Sequence, residues 1–274
     1  MARLEFFSIL VFVVGCGRGT CPEYGAGSAA GALEGVGVTE ASGLAVSRTQ
    51  DVLWLHNDAG SGARLDAVGL GGEDLVSYDV LGADAVDWED IAVGPDGYLF
   101  IGDIGDNEAV RDDIVVYRAT EPAVAAGSAG LDSAFSAEPA VLTYPDGPRD
   151  AEALAVDATG TLYILTKDAG STEVYSAAWA DGELTLETTL AIEGQVTAAD
   201  ISPDGETFAV ATYDGVWLWT RPQSGGVAEW LGGEPCLADL AEPAEAVGLD
   251  ASGFWSVSEG VGSTLYRYTA AAGQ

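Results

Sequence analysis

A six-residue pattern recurs five times along this chain at nearly constant spacing. It runs as "SGLAVS" from residue 42, "EDIAVG" from 89, "EALAVD" from 152, "ADISPD" from 199 and "EAVGLD" from 245. The spacings are 47, 63, 47 and 46 residues. The long one contains "PAVAAGSAGLDSAFSA" at 122–137, a low-complexity stretch of 16 residues whose removal restores a 47-residue period. Self-similarity at this period, sustained five times, restricts the chain to a repeat architecture.

Each period has the same internal order. The first strand is followed by a turn signal: "GPDG" at 94, "DATG" at 157, "SPDG" at 202 and "DASG" at 250. Pro and Asp preset or cap such turns and Gly supplies the positive φ. A second apolar strand follows ("VLWLHND", "YLFIGD", "TLYILTKD", "TFAVATYD", "GFWSVSEG"), then a third ("ARLDAVGL", "DIVVYRAT", "TEVYSAAW", "GVWLWTRP", "STLYRYTA"). A more polar fourth closes four of the units ("EDLVSYDVL", "AVLTYP", "ELTLETTLAI", "VAEWLGG"). Aromatic and β-branched enrichment with this punctuation reads as strand, with no helix-period stretch expected. Four antiparallel strands per period predict an all-β fold, a five-bladed β-propeller of four-stranded blades. The last repeat stops after three strands, and "GALEGVGVTE" at 31–40 is placed to supply its fourth, which removes an exposed edge. A six-bladed ring is the alternative, if 122–137 or the N-terminal segment hides another blade.

In a propeller the segment leading into strand one and the segment leaving strand two reach the same face of the disc, at the mouth of the central channel. The first set is Glu40, Glu89 with Asp90, Glu152, Asp200 and Glu245. The second is Asn57 with Asp58, Asp103 with Asp106 and Asn107, Asp168, Asp214 and Glu259. Two ionised carboxylates about 6 Å apart repel by roughly 2–3 kcal/mol at an effective dielectric of 20. A cation among them relieves this. Asp, Glu and Asn oxygens are ligands for Ca²⁺ or Mg²⁺, and no His/Cys cluster provides for zinc. The expected metal ligands are Glu89, Asp90, Asp103, Asp106, Asn107, Glu152, Asp58, Asp200 and Glu245, with Ca²⁺ the expected ion; Asp side chains capping their own turns are the alternative. His56 (the only histidine), Lys167 (the only lysine) and Arg149 approach the same rim and are the catalytic candidates. The Gly-Ser loops at 57–64, 167–174 and 258–265 read as turn chemistry. The tryptophans read as inter-blade core, except Trp88 beside Glu89 at the rim.

The chain carries 10 Lys+Arg against 44 Asp+Glu, a net charge of −34 over 274 residues. This field repels nucleic acid and anionic surfaces, so no nucleic-acid partner is expected. The apolar run "FFSILVFVVG" is too short to span a bilayer and has the length of an export signal's core. It ends in "VVGC", which matches a bacterial lipobox with Cys16 as the acylated residue. Residues 1–15 then form a signal peptide, 16–30 a flexible tether and 31–274 the propeller. The chain is expected to be exported and lipid-anchored to a bacterial membrane, in the periplasm or at the cell surface, as a monomer. Cys21 and Cys236 allow one disulfide in an oxidising compartment, or stay as two thiols.

At "DWEDIAVGPDGYLFIGDIGDN" and "YPDGPRDAEALAVDATGTLYILTKD" the sequence resembles bacterial exported propellers related in style to the esterase-like phytase domain and the gluconolactonase/SMP-30 type. The resemblance spans roughly residues 38–270. It implies a metal at the channel mouth held by acidic and Asn side chains, carried here by Glu89, Asp90, Asp103, Asp106, Asn107 and Glu152. Two functions follow as expectations. One is a binding module for a small ligand, a glycan or a protein. The other is a metal-dependent hydrolase acting on a phosphoester, lactone or ester.

Overall fold

The computed structural model describes residues 21–271 except 36, 59, 126 and 129–131. The expected signal peptide and the expected acylation site, Cys16, lie outside the described residues. Blade one comprises Ala41–Val46, Val52–Asn57, Arg64–Gly69 and Asp74–Leu81. Blade two comprises Trp88–Val93, Tyr98–Asp103, Ile114–Thr120 and Glu138–Leu142. Blade three comprises Ala151–Val156, Thr161–Thr166, Thr172–Ala178 and Thr185–Leu190. Blade four comprises Val196–Ile201, Thr207–Thr212, Gly215–Thr220 and Cys236–Asp239. Blade five comprises Ala246–Asp250, Gly253–Val257 and Thr264–Thr269, completed by Ser28–Ala32 from the other end of the chain. This is a five-bladed β-propeller. The first strand of each blade lies innermost and touches the first strands of both neighbours, which closes the ring.

The innermost strands explain the repeated pattern. Trp88–Val93, Ala151–Val156 and Val196–Ile201 are buried at every position. Strands covered on both faces read as continuous rather than alternating apolar runs. Small residues such as Ala45, Ala92, Ala155 and Gly248 sit at one level of the ring, where five strands crowd around one axis. The turns after them take the left-handed backbone that their glycines permit: Gly97, Gly160 and Gly205 have φ of 72°, 84° and 72°.

Three expectations are corrected. The stretch 122–137 is not a plain insertion: Asp132–Ser136 adds a parallel fifth strand to blade one, and the chain then crosses directly into the outer strand of blade two. "VAEWLGG" is not a strand but the helix Val227–Leu231, α1. Its Val227, Trp230 and Leu231 recur at helical spacing and are buried against Leu190, Ile192 and Trp219. The Glu229 carboxylate accepts the Gly226 N–H at 2.9 Å, which caps the first turn. The fourth strand of blade four is Cys236–Asp239 instead.

The third correction concerns the N-terminal segment. The closing strand starts at Ser28, so residues 28–30 belong to the blade and not to a tether. Cys21 forms a disulfide with Cys236, Tyr24 bridges to Ala270, and Glu23 O accepts the Ala271 N–H at 2.7 Å. Pro22 and Tyr24 lie beside Ser202, Asp204, Asp250 and Ser252, the turns on the face opposite the channel mouth. The disulfide spans 215 residues of sequence. In the chain-entropy account, a cross-link over so long a loop destabilises the unfolded state by about 5 kcal/mol. Cys21→Ser should therefore lower unfolding stability by several kcal/mol in urea titration. An unchanged midpoint would mean that the Ser28–Ala32 strand alone secures ring closure.

Candidate cation centre at the channel mouth

Backbone pairing aligns the blades residue by residue. Ser42, Glu89, Glu152 and Thr197 are each the extra residue of a β-bulge in a first strand, and Glu245 stands at the same level in blade five. A bulge leaves one residue outside the ladder and re-aims its side chain, here into the mouth. Just beyond the second strands stand Asp58, Lys167, Tyr213 and Glu259. Most of these side chains, with Glu40 and Asn107, line a cavity of about 120 Å³.

Beside it one carboxylate oxygen each from Asp58 of blade one, and Asp87 and Glu89 of blade two, lie within 4.8 Å of one another. At an effective dielectric of 20, each ionised pair at that distance repels by roughly 3 kcal/mol. The protonation behaviour reflects this crowding. Burial pushes the Glu89 carboxyl well above its ordinary range, and the charges of Glu152, Asp58 and Asp87 push it further. Burial also raises Asp87, with Asp58 adding to it. Glu152 is raised mainly by burial, against the pull of Lys167, whose Nζ sits 2.5 Å from Glu152 Oε1. Burial alone would lower Lys167, but the bond to Glu152 outweighs it and the ammonium is held. Glu245 is raised by burial and by Glu259. Ser42 Oγ donates to Glu89 O at 2.7 Å and reaches Glu89 Oε2 at 3.3 Å.

The expected ligands separate into three groups. Glu89, Glu152, Asp58, Glu245 and Asn107 line the mouth, together with Lys167. Asp90 and Asp200 do not. They lie deeper in the channel, and backbone N–H groups occupy their oxygens. Asp90 Oδ1 accepts from Ile91 at 2.8 Å, and Oδ2 accepts from Leu154 at 2.9 Å and Ala199 at 3.0 Å. Asp200 accepts from Ile201 at 2.8 Å and from Leu249 at 2.7 Å. Burial raises the Asp200 carboxyl to about 6 against these donors. Asp103 and Asp106 form the third group. Asp103 is 1% exposed and holds the Val86 and Asp87 N–H groups and Arg111. Asp106 Oδ2 accepts the Arg111 N–H at 2.7 Å.

His56 is fully buried rather than at the rim. Its Nδ1 lies 2.9 Å from Asn57 O, its ring meets Trp88 edge-on at 5.5 Å, and burial lowers its pKa. Trp88 itself is 1% exposed, with Nε1 donating to Asp84 O, and so joins the core. Arg149 faces away from the mouth and pairs with Glu173 and Asp146, each at 2.7 Å. Asp168 and Asp214 are exposed, and the mouth positions beside them belong to Lys167 and Tyr213. Asp87 was not anticipated. The signal for it was its place immediately before the Trp88 strand, the position that Glu40 holds in blade one.

The donor set fits an oxygen-loving cation. Ca²⁺ takes oxygens at 2.3–2.6 Å, so ligands on one ion stand at most about 5 Å apart. The backbone is shaped to the cluster as well: a Cβ at Gly105 would lie 2.2 Å from Glu89 Oε1 and 2.6 Å from Asp87 Oδ2.

No protein-family model and no curated protein matches this sequence. Solved structures do match by shape. The PQQ-bound aldose sugar dehydrogenase of Streptomyces coelicolor is similar at 12% identity, over 91% of this chain and 99% of that one, with a TM-score of 0.52. A gluconolactonase of Xanthomonas campestris is similar at 14% identity, over 85% of this chain and 87% of that one, with a TM-score of 0.50. A luciferin-regenerating enzyme is similar at 10% identity, over 85% and 92%, with a TM-score of 0.50. At these identities the likeness shows the propeller fold, which unrelated functions share.

Proposed function

We propose that the chain is an exported, lipid-anchored propeller whose mouth takes up Ca²⁺ between Asp58, Asp87 and Glu89 and uses it to hold a small oxygen-rich ligand. The observation that carries this is the convergence of three carboxylates from two blades, where the nearby ammonium, Lys167, is already bonded to Glu152. The disulfide supports an oxidising compartment. Charge narrows the ligand. Six carboxylates and one lysine line the cavity, with Asp87 alongside. A divalent ion leaves the mouth negative, so a neutral ligand such as a sugar, lactone or ester fits better than a phosphoester.

Hydrolysis is the second reading, and the Glu152–Lys167 pair favours it. Bound at the triad, the ion would supply Lewis-acid polarisation of a ligand oxygen. Glu152, raised toward neutrality by burial, is suited to accepting and returning a proton. Lys167 is placed to steady negative charge on the ligand. The gluconolactonase-type shape agrees with this reading without arguing for it.

One experiment tests both. Melting in EDTA and in millimolar Ca²⁺ should show a higher Tm with the ion, because a ligand at a hundred times its Kd adds about 2.7 kcal/mol. Equal melting temperatures would remove the cation. With Ca²⁺ present, a panel of lactones and aryl esters should show turnover that Glu152→Gln abolishes while ligand binding persists. Binding without turnover in the wild type leaves the module reading alone.

A further inference from the structure

The side chains that shape the triad are not those that would touch an ion. Asp103 ends the second strand of blade two. Its Oδ1 accepts the Asp87 N–H at 3.1 Å and its Oδ2 the Val86 N–H at 3.2 Å. Arg111 Nη1 donates to Asp103 Oδ1 at 2.9 Å and to Gly105 O at 2.7 Å, and Nη2 donates to Asp103 O at 3.2 Å. The Ile104 and Gly105 N–H groups return to Asp87 O at 3.1 and 3.2 Å. One guanidinium therefore ties the turn from 103 to 105 together, while the Asp103 carboxylate and the Ile104 and Gly105 N–H groups fasten that turn to the segment that presents Asp87. Gly105 then lies against both carboxylates, so that a β-carbon there would have to push the ends of Glu89 and Asp87 aside.

Blade one shows what a propeller needs without such a task. At the position of Asp103 it has Asn57, whose Oδ1 accepts the Thr39 and Glu40 N–H groups at 2.7 and 2.9 Å. That side chain organises the approach to strand one, and among the described residues no arginine bonds to it. Blade two keeps the device and adds two parts: Arg111, which braces the turn, and Gly105, which lies against Asp87 and Glu89.

We propose that Arg111, Asp103 and Gly105 are positioning residues that hold Asp87 and Glu89 at the spacing a Ca²⁺-sized ion requires, so that this turn sets the ion selectivity of the mouth. The proposal rests on the cation reading above. Arg111 acts through the backbone, and Gly105 acts by having no side chain. A planar fork reaching three oxygens cannot be replaced by a single ammonium.

The test uses the full chain and compares wild type, Gly105→Ala, Arg111→Gln, Arg111→Lys and the ligand control Glu89→Gln. Ca²⁺ affinity is measured by calorimetry, affinity across the lanthanide series by Tb³⁺ displacement, and Tm in EDTA. Gly105→Ala should lose about tenfold or more in Ca²⁺ affinity, the range typical of outer-shell changes, and should reorder the lanthanides by size, with a chelated Tm close to wild type. Arg111→Gln should lose affinity similarly, and Arg111→Lys should not restore it. If Arg111→Gln fails to fold, Gly105→Ala decides alone. Unchanged affinity and size order in Gly105→Ala, with uptake abolished in Glu89→Gln, overturns the positioning role and leaves the cation reading standing. A loss of affinity that only tracks a fall in chelated Tm, with the size order kept, overturns it as well. No uptake of Ca²⁺ or Tb³⁺ by wild type removes the cation reading and this proposal with it.

Discussion

In EDTA at pH 7, Glu89→Gln should melt above the wild type, and it should no longer gain stability from Ca²⁺. Glu89 is 4% exposed, and burial with the nearby charges of Glu152, Asp58 and Asp87 raises its folded pKa above the ordinary 4.5. Below that ordinary value the carboxyl is protonated in both folded and unfolded chains and costs nothing. As pH rises through it, the unfolded chain ionises and the folded chain resists, so stability falls until the folded group also ionises. At pH 7 the cost is about 3 kcal/mol, set by the interval between 4.5 and 7. Gln carries no such cost, and for a domain of this size the gain is roughly 6–12 °C in Tm. The ion-free wild type should accordingly lose stability between about pH 5 and pH 8, and Ca²⁺ should flatten that slope. A chelated Tm that rises with pH over this window would show that the mouth carboxylates are stabilised by something other than an added cation. Destabilisation of the resting protein at its own mouth is the pattern expected where activity and stability compete.

A loss larger than that gain should follow from Asp90→Ala. The Asp90 side chain is fully buried in the channel of blade two, and it joins Leu154 of blade three and Ala199 of blade four through their N–H groups. Burial pushes its carboxyl well up, and the three backbone donors work in the opposite direction. Deletion leaves the N–H groups of Ile91, Leu154 and Ala199 without their carboxylate acceptor in a fully buried site. At about 1–3 kcal/mol each, less the relief of removing a buried acid, the net cost is roughly 4–6 kcal/mol. Asp90→Asn keeps an oxygen toward Leu154 and Ala199 but turns an amide N–H toward that of Ile91, so its cost should fall between Ala and wild type. Urea titration of the three proteins gives the order. An Asp90→Ala midpoint equal to wild type would mean that inter-blade packing alone holds the channel shut.

The architecture was legible because a repeat multiplies one weak signal by five. The depth of a residue in the channel was not, because it depends on single-residue register. "ADISPD" matches "EDIAVG" as a pattern, but the bulge puts Thr197 at the level of Glu89, so Asp200 lies three residues deeper. The same kind of step puts Lys167 and Tyr213 in the mouth where Asp168 and Asp214 were expected. In "IGDIGDN" the side-chain oxygens of Asp103, Asp106 and Asn107 are plain in the sequence. The sequence does not show that Arg111, eight residues beyond Asp103, and the backbone at 86–87 occupy them. The helix of blade four was readable in principle, since "VAEWL" places its apolar residues at i, i+3 and i+4. A strong strand repeat overrode that local period.

The Cys21–Cys236 disulfide and the Tyr24–Ala270 bridge give the disc a front and a back. Pro22 and Tyr24 lie among the turns on the side away from the cavity. If Cys16 carries an acyl group, as proposed above, the anchor joins the described chain on the side away from the acidic mouth. Such an arrangement would keep the six carboxylates of the mouth away from an anionic bilayer. It also leaves the aperture open to whatever diffuses past.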